Sequence, residues 1–201
     1  MSAIGELDDR IRDQQPIAPS RVMEEPGGAA GQRGDLRRGH HLRPGFLHRY
    51  INPTPGTYLR GRGGGIGNGM PGTVGMQVAL PDRPVVGVVA DGSSMYNITA
   101  LWTAAHHKLP VTWVILSNRT YRILKVNMLN YLGEAAAGRE FVEMDFTDPV
   151  IDFAGLAKSL GCHGRRVEKP DELGEALREA IAHPGPALVD VVIDATIPGR
   201  G

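Results

Sequence analysis

The chain has 201 residues, 41% of them apolar, and its 22 basic and 22 acidic side chains cancel to a formal net charge of zero. That length and apolar share suit one substantial globular domain and exclude a disordered chain, and the neutral balance gives no whole-molecule reason for a nucleic acid or a membrane surface as partner. No run of about 18 apolar residues could span a bilayer and the first residues carry no charged-then-apolar targeting pattern, so a cytoplasmic protein is expected. Cys162 is the single cysteine. It has no internal disulfide partner and no metal-type spacing around it, and reads as a half-buried bystander.

From Glu25 to Arg43 the sequence is dominated by Gly and Arg, with Leu36 and Leu42 its only large apolar residues and no period of 2 or 3.6. Residues 1–46 therefore read as an irregular, partly disordered segment that supplies no strand, and residues 47–201 as the folded domain. The Gly/Arg/Ala/His/Pro bias is also what a GC-rich coding strand gives out of frame. A basic arm built on Arg33, Arg37, Arg38 and Arg43 is the functional alternative, but no aromatics are interleaved with them.

A glycine run, Gly63-Gly64-Gly65-Ile66-Gly67-Asn68-Gly69-Met70-Pro71, comes next. Gly67 to Gly72 formally spells G-x-G-x-x-G, the phosphate turn of dinucleotide binders. That turn needs a preceding strand, and Thr57 to Gly61 makes a poor one. Beyond it lie two apolar runs, Val85 to Val89 and Val111 to Leu116, separated by enough chain for one helix. The helix is expected from Tyr96 to His107, with Ile98, Leu101, Trp102 and Ala105 as the stripe facing a sheet. Adjacent His106 and His107 point apart on a helix and read as solvated, and Trp102 and Trp113 read as core.

This β-α-β unit puts Asp91 and Asn118 at the carboxyl ends of neighbouring parallel strands. A hard cation such as Mg2+ takes oxygen ligands in near-octahedral geometry. The Asp91 carboxylate, the Asn118 amide oxygen and the Thr120 carbonyl would leave positions for two phosphate oxygens and a water. One protein charge suffices because a diphosphate brings its own. Gly92 would let the backbone approach the phosphates, and Ser93 and Ser94 would present donors beside the amides of the following helix.

The remaining elements complete an α/β fold. Asp148 to Leu160 reads as an amphipathic helix, Lys169-Pro170-Asp171 opens another with Leu173, Leu177 and Ile181 on one stripe, and Ala187 to Ile193 is a buried strand. The order implies a parallel sheet with helices on both faces. Tyr121 to Thr147 has no clear pattern.

Ala90-Asp91-Gly92 and Ser117-Asn118 resemble the Gly-Asp-Gly and Asn-Asn motif of thiamine-diphosphate-dependent enzymes, and Ala100 to Ala105 also reads like the decarboxylases among them. The run from Leu47 to Asp194 is similar to their C-terminal, diphosphate-binding domain, nearest to benzoylformate decarboxylase and the acetolactate synthase group. That resemblance implies thiamine diphosphate and Mg2+ as cofactors, with Asp91, Asn118 and Thr120 on the metal and Gly92, Ser93 and Tyr96 on the diphosphate. It makes Ile66 the bulky wedge that bends the cofactor, and the Gly64 carbonyl the acceptor for its 4′-amino group. Bent in that way, the amino group can remove the thiazolium C2 proton, after which a 2-keto acid can be attacked and lose CO2.

In the family an activating Glu comes from a pyrimidine-binding domain, usually across a subunit contact, and no Glu of this chain is assigned that role. The resemblance thus implies a 2-keto acid decarboxylase or carboligase that is incomplete without a pyrimidine-binding domain or subunit, in a homo- or hetero-oligomer. A non-catalytic α/β scaffold, or a remnant with impaired cofactor binding, is the alternative.

Overall fold

The computed structural model describes residues 11–22, 35–38, 58–60, 65–133 and 140–197. Six parallel strands form one sheet in the order β2-β1-β3-β4-β6-β5: β1 Asp35–Arg38, β2 Tyr58–Arg60, β3 Val85–Ala90, β4 Val111–Ser117, β5 His163–Val167 and β6 Ala187–Val192. Strands β3 and β4 are nearly continuous apolar runs because both faces are covered, and every residue of β4 is buried. Helices α1 (Gly69–Ala79), α2 (Ala100–His106) and α4 (Phe153–Ser159) cover one face, where Met70, Leu101, Ala104 and Phe153 meet Trp113 and Ile115. Helix α5 (Pro170–Ala182) covers the other with Leu173, Ala176, Leu177 and Ala180. Helix α3 (Arg122–Leu132) lies between β4 and α4 in the chain and buries none of its residues. This is the α/β architecture expected, and it is consistent with a thiamine-diphosphate-binding fold.

Several expectations are corrected. The segment read as lacking a strand supplies β1, which pairs with β2 on one side and β3 on the other, Leu36 opposite both Tyr58 and Val86. Pairing on both edges satisfies the backbone whatever the side-chain pattern, which is why no periodicity announces it. Thr57 to Gly61, a poor strand by its residues, provides the three residues of β2. Part of the N-terminal segment also joins the core: Ile17 and Val22 are buried, and Ile17 bridges to Ile193.

Trp102 is 55% exposed and stacks on His106 with ring centroids 4.9 Å apart, so it is not core. In place of one helix from Tyr96 to His107 there is a 3-10 turn at Met95–Asn97 and then α2, preceded by a single helical turn at Asp91–Ser94. Ala100, Leu101 and Ala104 face inward, and Ile98 and Ala105 pack against the same cluster, so of the expected stripe only Trp102 turns away from the sheet. The helix expected from Asp148 begins only at Phe153, where Asp152 accepts the Gly155 N–H at 2.8 Å, and Val150 stays 44% exposed. Cys162 is buried, 6% exposed, rather than half-buried; burial pushes its thiol up to about 11, and it donates to the Leu101 carbonyl.

Candidate functional site

Strand register brings the two motif ends together. Ala90 on β3 lies opposite Leu116 on β4, so Asp91 and Asn118 follow within two residues on adjacent, parallel strands. Asp91 is 2% exposed, and its carboxylate accepts the N–H of Gly92 at 2.7 Å, that of Arg119 at 2.6 Å and that of Asn118. Burial pushes its pKa up to about 6; those backbone donors oppose the rise, and buried Asp190 adds to it. The backbone N–H groups offset only part of the desolvation, and a cation would supply the missing charge. Arg119 makes its contact from a left-handed conformation at φ 58°.

Asn118 Oδ1 accepts the Thr120 N–H at 3.1 Å, which leaves the second lone pair of that oxygen for another partner. Thr120 is 7% exposed. Among the described residues no group of three or more His, Cys, Asp or Glu could hold a metal, so a cation here would depend on amide and carbonyl oxygens beside Asp91. That donor set is the one Mg2+ accepts when phosphates complete the shell.

The glycine-rich turn docks onto the segment after Asp91. Gly67 N–H donates to Ser93 Oγ at 3.2 Å, and Asn97 Nδ2 donates to the Gly67 carbonyl at 3.0 Å. Gly67 has φ +91°, and a Cβ there would lie 2.7 Å from Tyr96 Cβ. Gly67→Ala should therefore cost about 2 kcal/mol and loosen the turn, visible as a lower denaturant midpoint. An unchanged midpoint would mean the turn is not held as described. Ile66, on this turn, is 37% exposed. Gly64 lies outside the described residues.

Several expected phosphate contacts are differently engaged. Ser94 is buried and donates its hydroxyl to the Asp91 carbonyl at 2.7 Å, so it is not a free donor. Ser93 Oγ accepts from Gly67 and keeps its own proton to donate. The space a Cβ would fill at Gly92 is taken by the Tyr121 ring, 2.6 Å away, and by Phe146; close packing of these rings is what requires glycine there. Tyr96 is 56% exposed, and its hydroxyl is hydrogen-bonded to that of Tyr121. Tyr121, Phe146 and Asn97 are not legible as site residues in the sequence, since none belongs to a local motif.

Residues 41–191 match the family of thiamine pyrophosphate enzymes, C-terminal TPP binding domain. The chain is 41% identical over 136 residues to Mycobacterium tuberculosis IlvX, whose name assigns it provisionally to the acetolactate synthase large subunits. That match covers 67% of this chain and 26% of the relative. Against benzoylformate decarboxylase of Pseudomonas aeruginosa it is 36% identical over 146 residues, covering 73% of this chain and 26% of the relative. The fold superposes on the thiamine diphosphate-dependent 4-hydroxybenzoylformate decarboxylase of Rhodococcus jostii RHA1 with a TM-score of 0.80 at 31% identity, over 90% of this chain and 33% of that one. The chain thus spans about a quarter of the length of these curated relatives. No helix among the described residues is long and apolar enough to cross a membrane.

Proposed function

The chain belongs to the thiamine pyrophosphate enzyme family through its C-terminal cofactor-binding domain, and we propose that it binds thiamine diphosphate through Mg2+ for decarboxylation or carboligation of 2-keto acids. The observation that carries this reading is Asp91, a buried carboxylate beside the Asn118 loop that receives only backbone donors. In this reading Asp91, Asn118 Oδ1 and the Thr120 carbonyl hold the cation. Ser93 and Tyr96 donate hydroxyl protons to the diphosphate beside Gly92, Ile66 presses against the middle of the cofactor, and the Gly64 carbonyl receives its amino group. When bound, thiamine diphosphate supplies the electron sink that lets a 2-keto acid lose CO2.

The chain's own residues bind and orient the group, and they shield its charged end from water. Proton removal needs an acid to hydrogen-bond the aminopyrimidine, and we assign that Glu to a pyrimidine-binding domain or subunit meeting residues 47–201 in a homo- or hetero-oligomer. The benzoylformate and acetolactate names of the relatives support a 2-keto acid as substrate. A non-catalytic scaffold is the second reading, and it draws on the Tyr121 ring packed over Gly92.

Titration calorimetry with thiamine diphosphate and Mg2+ separates the two. Saturable heat that requires both is expected; its absence at millimolar cofactor supports the scaffold.

A further inference from the structure

Asn118 and Thr120 would offer the cation one amide and one carbonyl oxygen from a loop that includes the left-handed Arg119 and is bonded to Asp91 through the Asn118 and Arg119 N–H groups. Its far side is held by a second segment some two dozen residues on. Tyr121 N–H donates to the Met144 carbonyl at 2.8 Å, Phe146 N–H donates to the Arg119 carbonyl at 2.9 Å, and Thr120 pairs with Asp145 as an antiparallel bridge between them. When flanking residues exchange the bonds of such a pair, the central residue directs its own N–H and C=O away from the partner segment. The Thr120 N–H does so, reaching Asn118 Oδ1 at 3.1 Å, and the carbonyl of an extended residue leaves on the same side as its N–H. Residues 144–146 thus turn the Thr120 carbonyl toward Asn118.

That segment is fastened by charge. Lys125, one turn into α3, places Nζ 2.6 and 2.8 Å from the two Asp145 carboxylate oxygens, and its side chain is 13% exposed. Thr120 Oγ1 donates to the Met144 carbonyl at 2.9 Å, and the Phe146 ring meets Tyr121 edge-on at 4.7 Å. Lys125 also neutralises the Asp145 charge, so this nearby carboxylate does not compete with Asp91 for a cation. The hydrogen bonds from Lys125 and Thr120 hold the Asp145 carboxyl below its ordinary range.

We infer that residues 144–146, locked by the Lys125–Asp145 ion pair, are a positioning strap that presents the Thr120 carbonyl and the Asn118 amide to the cation. Lys125 and Asp145 are positioning residues and touch neither metal nor cofactor. This rests on the cation site proposed above.

The test uses the full chain with thiamine diphosphate and Mn2+ as probe, free Mn2+ being counted by electron paramagnetic resonance. Lys125→Met and Asp145→Asn should each weaken Mn2+ binding about tenfold, the scale of losing a group that orients a ligand. Lys125→Arg, which keeps the pair, should bind within about threefold of the parent. Thr120→Val, which removes the hydroxyl's hydrogen bonding to residues 144–145, should weaken binding in the same direction. Because α3 buries no residue, both Lys125 variants should keep the parent's circular dichroism spectrum. A parent that binds no Mn2+ overturns the cation site itself and the strap with it. A parent that binds, with Lys125→Met and Asp145→Asn binding equally well, overturns the strap and leaves the site. A Lys125→Arg as weak as Lys125→Met, or loss of the fold in the single variants, also overturns it, because the pair would then act otherwise than by orienting the loop.

Discussion

Asp91→Asn should abolish cation-dependent binding of thiamine diphosphate, weakening it roughly 100-fold or more, since it removes the one carboxylate from the proposed ligand set. The same substitution has a second signature that needs no cofactor. Burial raises the Asp91 pKa from 3.8 to about 6. A raised carboxyl contributes stability that is fully present below its unfolded pKa and is lost as pH climbs through the folded value. A rise of that size corresponds to about 3 kcal/mol, lost between roughly pH 4 and pH 7. In Asp91→Asn the decline over that window should shrink by about that amount, while the part due to Asp190, also raised to about 6 by burial, remains. Urea unfolding of the cofactor-free protein at several pH values measures it. A pH profile identical to the parent's would mean that Asp91 is not the strained ionisation described.

Gly164→Ala should be the most damaging single methyl in the described fold. A Cβ at Gly164 would fall on the carbonyl oxygen of Ala154, and backbone cannot swing aside as a side chain can. Strand β5 and helix α4 would have to separate, at a cost of about 3 kcal/mol. The denaturant midpoint should drop accordingly. A loss under about 0.5 kcal/mol would show that β5 and α4 are not packed as closely as they are here.

Gly164 also marks where the sequence is hard to read. Strand β5, His163–Val167, has no apolar run to announce it because its residues are mostly polar. It is an edge strand with β6 as its one neighbour, and its long side chains are drawn into ion pairs: Arg165 with Glu175 and Glu179, Arg166 with Glu168 and buried Asp190. Apart from Glu168, those partners come from α5 and β6, so no local pattern reveals them. Strands β3 and β4 are legible for the opposite reason, since burial on both faces leaves an uninterrupted apolar run. Helix α5 is legible from Leu173 and Leu177 on one stripe, with Pro170 at its first turn.

The site divides along the same line. Asp91 and Asn118 can be placed at strand ends from the chain itself, because each closes an apolar run and one helix separates them. The Thr120–Asp145 bridge, the Lys125 clamp and the Tyr121 ring over Gly92 depend on contacts across a stretch with no period. Trp102 falls outside the core because the stripe that meets the sheet centres on Ala100, Leu101 and Ala104, and which edge of a helix packs is decided by its neighbours rather than by its own residues.

The most direct measurement is a crystal of the chain grown with thiamine diphosphate and Mn2+, with the metal located by its anomalous scattering. One ion is expected, with an Asp91 carboxylate oxygen, Asn118 Oδ1, the Thr120 carbonyl and two phosphate oxygens in its first coordination shell. A metal bound elsewhere, with Asn118 still turned solely to the Thr120 N–H and Asp91 contacting backbone alone, would contradict it.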